Sequence, residues 1–309
     1  MRATVNAWLQ RTPAWMGLRG FSLPPATPRN LWLLLAAAVA TQNLAVFQSS
    51  QNEHITVFAA LVWGGALICM EDQLEELRPQ PSRWGLLLGT PLLLWVLFRT
   101  GVILHWDGLV FALPPLAGIA LALLCESPER IGRFRDPLLC LLMLPAFNII
   151  SLRLIPEGPF SVLTANLSGF WLSMLGYETR VTGRTVLLPT GGVEVLPACN
   201  GVDTIAQVIC IGLIFLLAFP LRSRLGKLVV LIAAPLIGIA CNTIRIAILA
   251  LCVANGYSKG SDLFRFFHDE LGSLLFSGVA VFIFGLLYMR VLERELPPLN
   301  PSGPEEIGT

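Results

Sequence analysis

Three side chains with the chemistry of a nucleophilic site, Cys199, Arg245 and His268, fall at or near the same end of three consecutive apolar segments. A thiolate attacks carbonyl carbon, a guanidinium is a fixed cation, and an imidazole accepts and returns a proton. The chain holds seven cysteines, at 69, 125, 140, 199, 210, 241 and 252, with no spacing of a disulfide framework or a zinc knuckle. Most of them read as small, adaptable apolar residues buried between helices. Cys199 departs from that reading, because it lies in the polar, helix-starting sequence Pro197-Ala198-Cys199-Asn200-Gly201-Val202-Asp203-Thr204. The positive end of a helix dipole stabilises a thiolate there.

Arg245 interrupts the apolar run Leu228 to Val253. An intramembrane cation is costly and persists where it faces protein or water. Asn242, three residues earlier, shares its helical face. A structural alternative pairs Arg245 with Asp203 to hold two helices together. His268 sits in Phe266-Phe267-His268-Asp269-Glu270-Leu271-Gly272, where the chain turns back into the membrane, and Gly272 offers close approach to another helix. Interfacial histidines are often idle, and His54 and His105 are also expected near the same side. Periodicity alone does not choose among the three.

The elements that must position these residues follow from composition. With 55% hydrophobic and 13% charged residues over 309 positions, and a mean hydropathy of +0.70, the chain is not a water-soluble globule with a polar skin. Apolar runs span Leu31 to Phe47, Ile55 to Met70, Trp84 to Trp106, Leu109 to Cys125, Pro137 to Ile155, Val202 to Phe219, Leu228 to Val253 and Leu271 to Leu292. Most approach or exceed the roughly 20 residues that cross hydrocarbon as a helix. They are too continuous for barrel strands. The expected fold is an all-α integral membrane protein, a polytopic bundle of about eight transmembrane helices.

Cation placement orients the bundle. With both termini cytoplasmic, Arg2, Arg11, Arg19, Arg29, Arg78, Arg83, Arg130, Arg133, Arg135, Arg222, Arg224, Lys227, Arg290 and Arg294 all fall inside. Arg99 and Arg153, near outer helix ends, read as snorkelling anchors. Ala38-Val39-Ala40 resembles a signal-peptide cleavage site, but the long Pro-rich leader and apolarity continuing to Phe47 argue for a retained helix. The division expected is a basic cytoplasmic N-terminal segment over 1–30, a transmembrane catalytic domain over 31–292, and a Pro-rich cytoplasmic tail over 293–309. Within that domain lies an extracytoplasmic loop, 156–198. In it Phe160, Leu163, Leu167, Phe170, Trp171 and Met174 alternate at helical spacing with Ser161, Thr164, Asn166, Ser168 and Ser173, which predicts an interfacial amphipathic helix. Thr185 to Leu188 and Val193 to Leu196 flank Pro189-Thr190-Gly191-Gly192 and predict a short β-hairpin running into Cys199.

In this order the motifs resemble the exosortase/archaeosortase membrane transpeptidases. In that family a short helix ending in Leu-Gly precedes a small extended segment, a Cys-Ser-Gly-like motif, an Asn-x-x-Arg motif and a late histidine. Leu175-Gly176, Cys199-Asn200-Gly201, Asn242-Thr243-Ile244-Arg245 and His268 occupy those places here, within a resemblance running from about Phe160 to Tyr288. Asn200 stands where serine is commonest, which resembles the cyanobacterial exosortase branch. The N-terminal half resembles the family only in helix count.

The resemblance implies a membrane-embedded cysteine protease/transpeptidase with Cys199, Arg245 and His268 as catalytic residues, and Asn200, Asp203 and Asn242 as supporting or substrate-binding residues. It implies as partners exported proteins with a C-terminal sorting tail, a Pro-Glu-Pro-like motif followed by a transmembrane helix and a basic cluster. The implied location is the cell (inner) membrane, with the site on its extracytoplasmic side. No cofactor, metal or nucleic acid is called for; no nucleotide loop, metal cluster or nucleic-acid patch stands in the sequence. Two other classes remain open from the residues alone. A transporter would line a pathway with Arg245, Asp203 and Gln207, and a structural subunit would use the same groups as interhelical hydrogen bonds.

Overall fold

A computed structural model describes residues 26–50, 53–102, 107–257 and 260–295. The basic leader to residue 25, His105 and the tail from residue 296 lie outside the described residues. The first half consists of α1 (Pro28–Ser49), α2 (Glu53–Leu74), α3 (Arg83–Gly101), α4 (Gly108–Leu123), a 3-10 turn at Pro128–Phe134, α5 (Arg135–Leu141), α6 (Met143–Ile149) and a π turn at Ile150–Leu154. Pro145 accounts for the break between α5 and α6: it has no N–H to offer the carbonyl of Leu141, so the helix restarts at Met143. The π turn then swings Ser151 toward the second half, where it lines a polar cavity.

A cap follows: α7 (Glu157–Met174) and an antiparallel sheet of β1 (Arg180–Thr182), β2 (Thr185–Leu188) and β3 (Gly191–Glu194) in the order β1-β2-β3. The predicted hairpin is present, but its second strand begins at Gly191, because Leu188 pairs directly with Gly191 across a two-residue turn. β1 was not expected; Gly183, at φ +58°, lets the chain reverse tightly between Thr182 and Thr185. The chain returns to the bundle as α8 (Val202–Ala218), α9 (Arg224–Ala254), a short α10 (Asp262–His268) and α11 (Glu270–Glu295).

Among the described residues, six helical segments are long and apolar enough to cross a membrane, Pro28–Ser49, Glu53–Leu74, Arg83–Gly101, Pro128–Leu152, Arg224–Ala254 and Leu271–Glu295. The other two expected spans are present as apolar helices of 16 and 17 residues, α4 and α8. The protein is therefore a multi-pass membrane protein, mostly helical, with large apolar side chains such as Leu34, Leu87, Phe98 and Phe282 on its outer surface. α9 is its axis: 56% of its span is buried, against 22–33% for the other five long segments. It packs on α7, α8, α10, α11 and strands β2 and β3.

The amphipathic helix α7 forms where expected and docks by its small, polar face. Its small face, Ser161, Thr164, Ala165, Ser168 and Gly169, is buried with Leu172, whereas Leu163, Phe170, Trp171 and Met174 point outward. Small residues let two helix backbones approach, and apolar ones suit a lipid interface. Ser168 donates to the carbonyl of Thr243 at 2.9 Å, and Trp171 Nε1 donates to Thr243 Oγ1 at 3.0 Å, which pins α7 across α9. Replacing Ser168 with leucine is expected to overfill this contact and cost about 1–3 kcal/mol. Thermal unfolding of purified protein in detergent should show a lowered Tm for Ser168→Leu and an unchanged one for the outward-facing Leu163→Ala.

Candidate active site

The cap, α8, α9 and the α10–α11 turn meet at one end of the bundle, and the residues singled out by sequence lie there. Cys199 ends a single 3-10 turn, Pro197–Cys199, just before α8. That turn is held from three sides. Thr164 on α7 donates to the carbonyl of Asn200 at 2.8 Å, and Asn242 Nδ2 on α9 donates to the carbonyl of Cys199 at 3.2 Å. Within the turn, Asn200 Oδ1 accepts the Val202 N–H at 3.0 Å. Gly201 then enters the left-handed region, at φ +93°, and any Cβ there would strike the Asn242 side chain. Glycine is thus required twice over, by conformation and by space. The Cys199 side chain is half-buried and packs against the apolar cluster of Val186, Val195, Ile246, Ala250 and Phe264.

Arg245 is buried, 3% exposed, and each of its three guanidinium nitrogens makes a hydrogen bond. Nε donates to the carbonyl of Phe267 at 2.9 Å, one terminal nitrogen to the carbonyl of His268 at 2.9 Å, and the other to Ser273 Oγ at 3.1 Å. The Cys199 sulfur lies near it, close enough for the two side chains to interact electrostatically. The two carbonyls belong to the last turn of α10, where a helix leaves acceptors unsatisfied and its dipole is negative. A cation therefore satisfies two otherwise orphaned acceptors while being satisfied by them. Gly272 contributes to the same turn. A Cβ there would strike the backbone of Phe266 and Phe267, so the helix whose close approach this glycine permits is the short α10 just before it in the chain.

His268 is brought to the site by its backbone. Its ring is exposed, stacks on Phe264 with centroids 5.2 Å apart, and shares a 3.2 Å hydrogen bond between Nδ1 and Asp269. Among the described residues no hydrogen bond joins imidazole to thiol; Phe264, which touches the ring on one side, belongs to the cluster that the thiol packs against.

The alternative Arg245–Asp203 ion pair does not form; Asp203 has no ion pair among the described residues. Both residues instead line one cavity of about 190 Å³ between the two halves of the bundle. α8 supplies Asp203, Thr204 and Gln207, α9 supplies Asn242 and Arg245, and α11 supplies Ser273. The first half supplies His54 from α2, Asn148 from α6 and Ser151 from the π turn. Asn148, Ser151 and Ser273 were missed in the sequence. The signal for them was weak but present, since each is a polar residue within an otherwise apolar run. No group of acidic, histidine and cysteine side chains able to hold a metal ion is found among the described residues.

Compared with known proteins, the chain is matched by a family model, transmembrane exosortase, over residues 47–285. No curated protein and no solved structure matches it. The matched span reaches back well before Phe160, so the first half is not merely similar in helix count. It includes every residue named above in the cavity wall, from His54 to Ser273, together with Cys199 and His268. The chain belongs to the transmembrane exosortase family.

Proposed function

We propose that this chain is a membrane-embedded cysteine transpeptidase that removes the C-terminal sorting tail of exported proteins and passes them to an acceptor through a thioester on Cys199. The observation that carries the reading is the juxtaposition of the Cys199 sulfur with a buried guanidinium that also grips the backbone of His268. One residue thereby links the nucleophile to the segment bearing the base. Family membership supports the sorting role.

In the proposed reaction the Cys199 thiolate attacks the scissile peptide carbonyl, forming the C–S bond and pushing an electron pair onto oxygen. Arg245 stabilises the oxyanion that forms. Collapse breaks the C–N bond, and His268 gives its proton to the departing amine. The acceptor amine then attacks the thioester, His268 removes its proton, and Cys199 leaves as thiolate. With Nδ1 engaged by Asp269, Nε2 is the nitrogen that exchanges protons.

The site faces the extracytoplasmic side in this reading, because Arg78, Arg83, Arg130, Arg133, Arg222, Arg224, Lys227, Arg290 and Arg294 gather at the opposite end of the bundle, the cytoplasmic end by the positive-inside rule. The outward-facing apolar side of α7 suits an interfacial ledge on that face. A transport pathway is less well supported: the cavity's described walls all come from the end of the bundle near the cap, and none from the basic end.

Coexpression with a tagged exported protein bearing a sorting tail tests the reading directly. The parent should shorten the tagged protein, and Cys199→Ala should leave it uncut; equal shortening by both would refute the nucleophile assignment. A second test separates charge from geometry at Arg245. Lysine keeps the charge but lacks the planar fork that spans two carbonyls and a hydroxyl. Arg245→Lys is expected to lose at least about 100-fold in processing. It is also expected to loosen the α10–α11 turn, visible as faster amide exchange at residues 267–269. Ser273→Ala removes a single hydrogen bond and should cost only about 0.5–1.5 kcal/mol of stability.

A further inference from the structure

We infer that the side-chain amide of Asn200 is a catalytic hydrogen-bond donor, an oxyanion-hole group that works beside Arg245; this rests on the transpeptidase reading above. Asn200 is 2% exposed, and its two polar atoms have different fates. Oδ1 accepts the Val202 N–H at 3.0 Å, which fixes the rotamer, while Nδ2 is buried with no hydrogen-bond partner among the described residues. A buried amide donor left unmade costs about 1–3 kcal/mol, and proteins keep such groups where a ligand completes them. The residue lines the cavity between the two halves.

Two further observations say what this donor meets. Arg245 lines the same cavity but already spends three N–H groups on Phe267, His268 and Ser273. A guanidinium has five, so its capacity for a new oxygen is limited. Gly201, Asp203 and Thr204, at the start of α8, also face the cavity, and the first amides of a helix have no intrahelical acceptor. The cavity wall thus offers several N–H and O–H donors to an oxygen that gains negative charge, with the Asp203 carboxylate the one acidic side chain among its described lining. At about 190 Å³ the cavity suits a group the size of a peptide carbonyl with its flanking atoms and not a folded segment.

When the sulfur of Cys199 bonds to a carbonyl carbon, the oxygen on that carbon gains the electron pair. The neighbouring residue's free amide is the neutral donor for it. When the tetrahedral species collapses, the pair returns to the carbonyl, the bond to the leaving group breaks and the amide is released. Asn200 thus stabilises charge that exists only during the reaction, which is the condition for a rate effect.

Two reactions of the same thiol separate this role from loop support. Acylation by p-nitrophenyl acetate passes through an oxyanion and releases p-nitrophenolate; alkylation by iodoacetamide displaces iodide and forms no oxyanion. Both would be followed on the full chain in detergent, with Cys199→Ala as the background for the other thiols. Asn200→Ala is expected to slow acylation about 100-fold and to leave alkylation within twofold of the parent. Asn200→Ser keeps a hydroxyl donor and should recover at least tenfold of that loss. Parent-like acylation in Asn200→Ala would overturn the assignment, as would equal loss of both reactions, which would mark a residue that only shapes the turn. A p-nitrophenolate burst of undiminished size in Cys199→Ala would instead overturn the thiol reading itself, and the donor assignment with it.

Discussion

A guanidinium buried in a membrane bundle is the constraint on which this end of the protein depends. Arg245 sits on the most buried helix, about two turns below its outer end, and a cation there is stable only with its N–H groups satisfied. The protein meets that demand with backbone oxygen and not with a carboxylate. The final carbonyls of α10 need donors, the chain must reverse before α11, and glycine at 272 lets it fold tightly enough to present both carbonyls to one fork. A carboxylate partner would have neutralised the cation. Carbonyls leave its positive charge available to the sulfur beside it. The turn, the helix end and the charge next to the thiol are therefore one arrangement.

The same economy of polar groups holds around the thiol. In a region poor in water every loop carbonyl needs a donor. Those of Cys199 and Asn200 take theirs from Asn242 and Thr164, on two different helices. The turn is thereby fixed to α7 and α9 at once, and α7 is fixed to α9 through Ser168 and Trp171 meeting Thr243. This explains why the loop that precedes α8 needs a helical cap above it. Without α7 one carbonyl of the cysteine turn would lack its hydrogen bond, and the apolar cluster under the sulfur would lose Ala165 and Leu172.

Much of this was legible in the sequence, and the rest was hidden for identifiable reasons. Hydropathy located the apolar helices because lipid imposes a composition on every span, and the motif residues 199, 242 and 245 converge as their sidedness required. The amphipathic pattern of α7 was legible, but not where on α9 its small face would dock. In water an apolar stripe turns inward, but at a lipid boundary Leu163 and Phe170 have a favourable exterior, so serine, threonine and glycine make the protein contact. The Arg245 partners were hidden for a different reason, since backbone carbonyls carry no residue-type signal. The sequence offered Asp203 as the evident counter-ion, and charge matching alone would choose it. Asn148 and Ser151 escaped because periodicity treats an isolated polar residue in an apolar run as noise, whereas the π turn after α6 turns Ser151 into the cavity wall.

The separation of His268 from the sulfur bears on how the proposed reaction divides its work. A thiol paired with an imidazole shares one proton with it, and attack and protonation then draw on the same contact. Here the thiol's polar neighbour is Arg245, while the imidazole stacks on Phe264 and is oriented by Asp269. The imidazole remains free to meet a leaving amine that arrives from the exposed side, where its ring lies. In the proposed reaction a peptide seated with its carbonyl oxygen toward Asn200 would present its amine to that exposed edge. Two donors at the oxygen and one proton source at the nitrogen would then act on opposite sides of the scissile bond, which is what expulsion of an amine from a tetrahedral carbon requires.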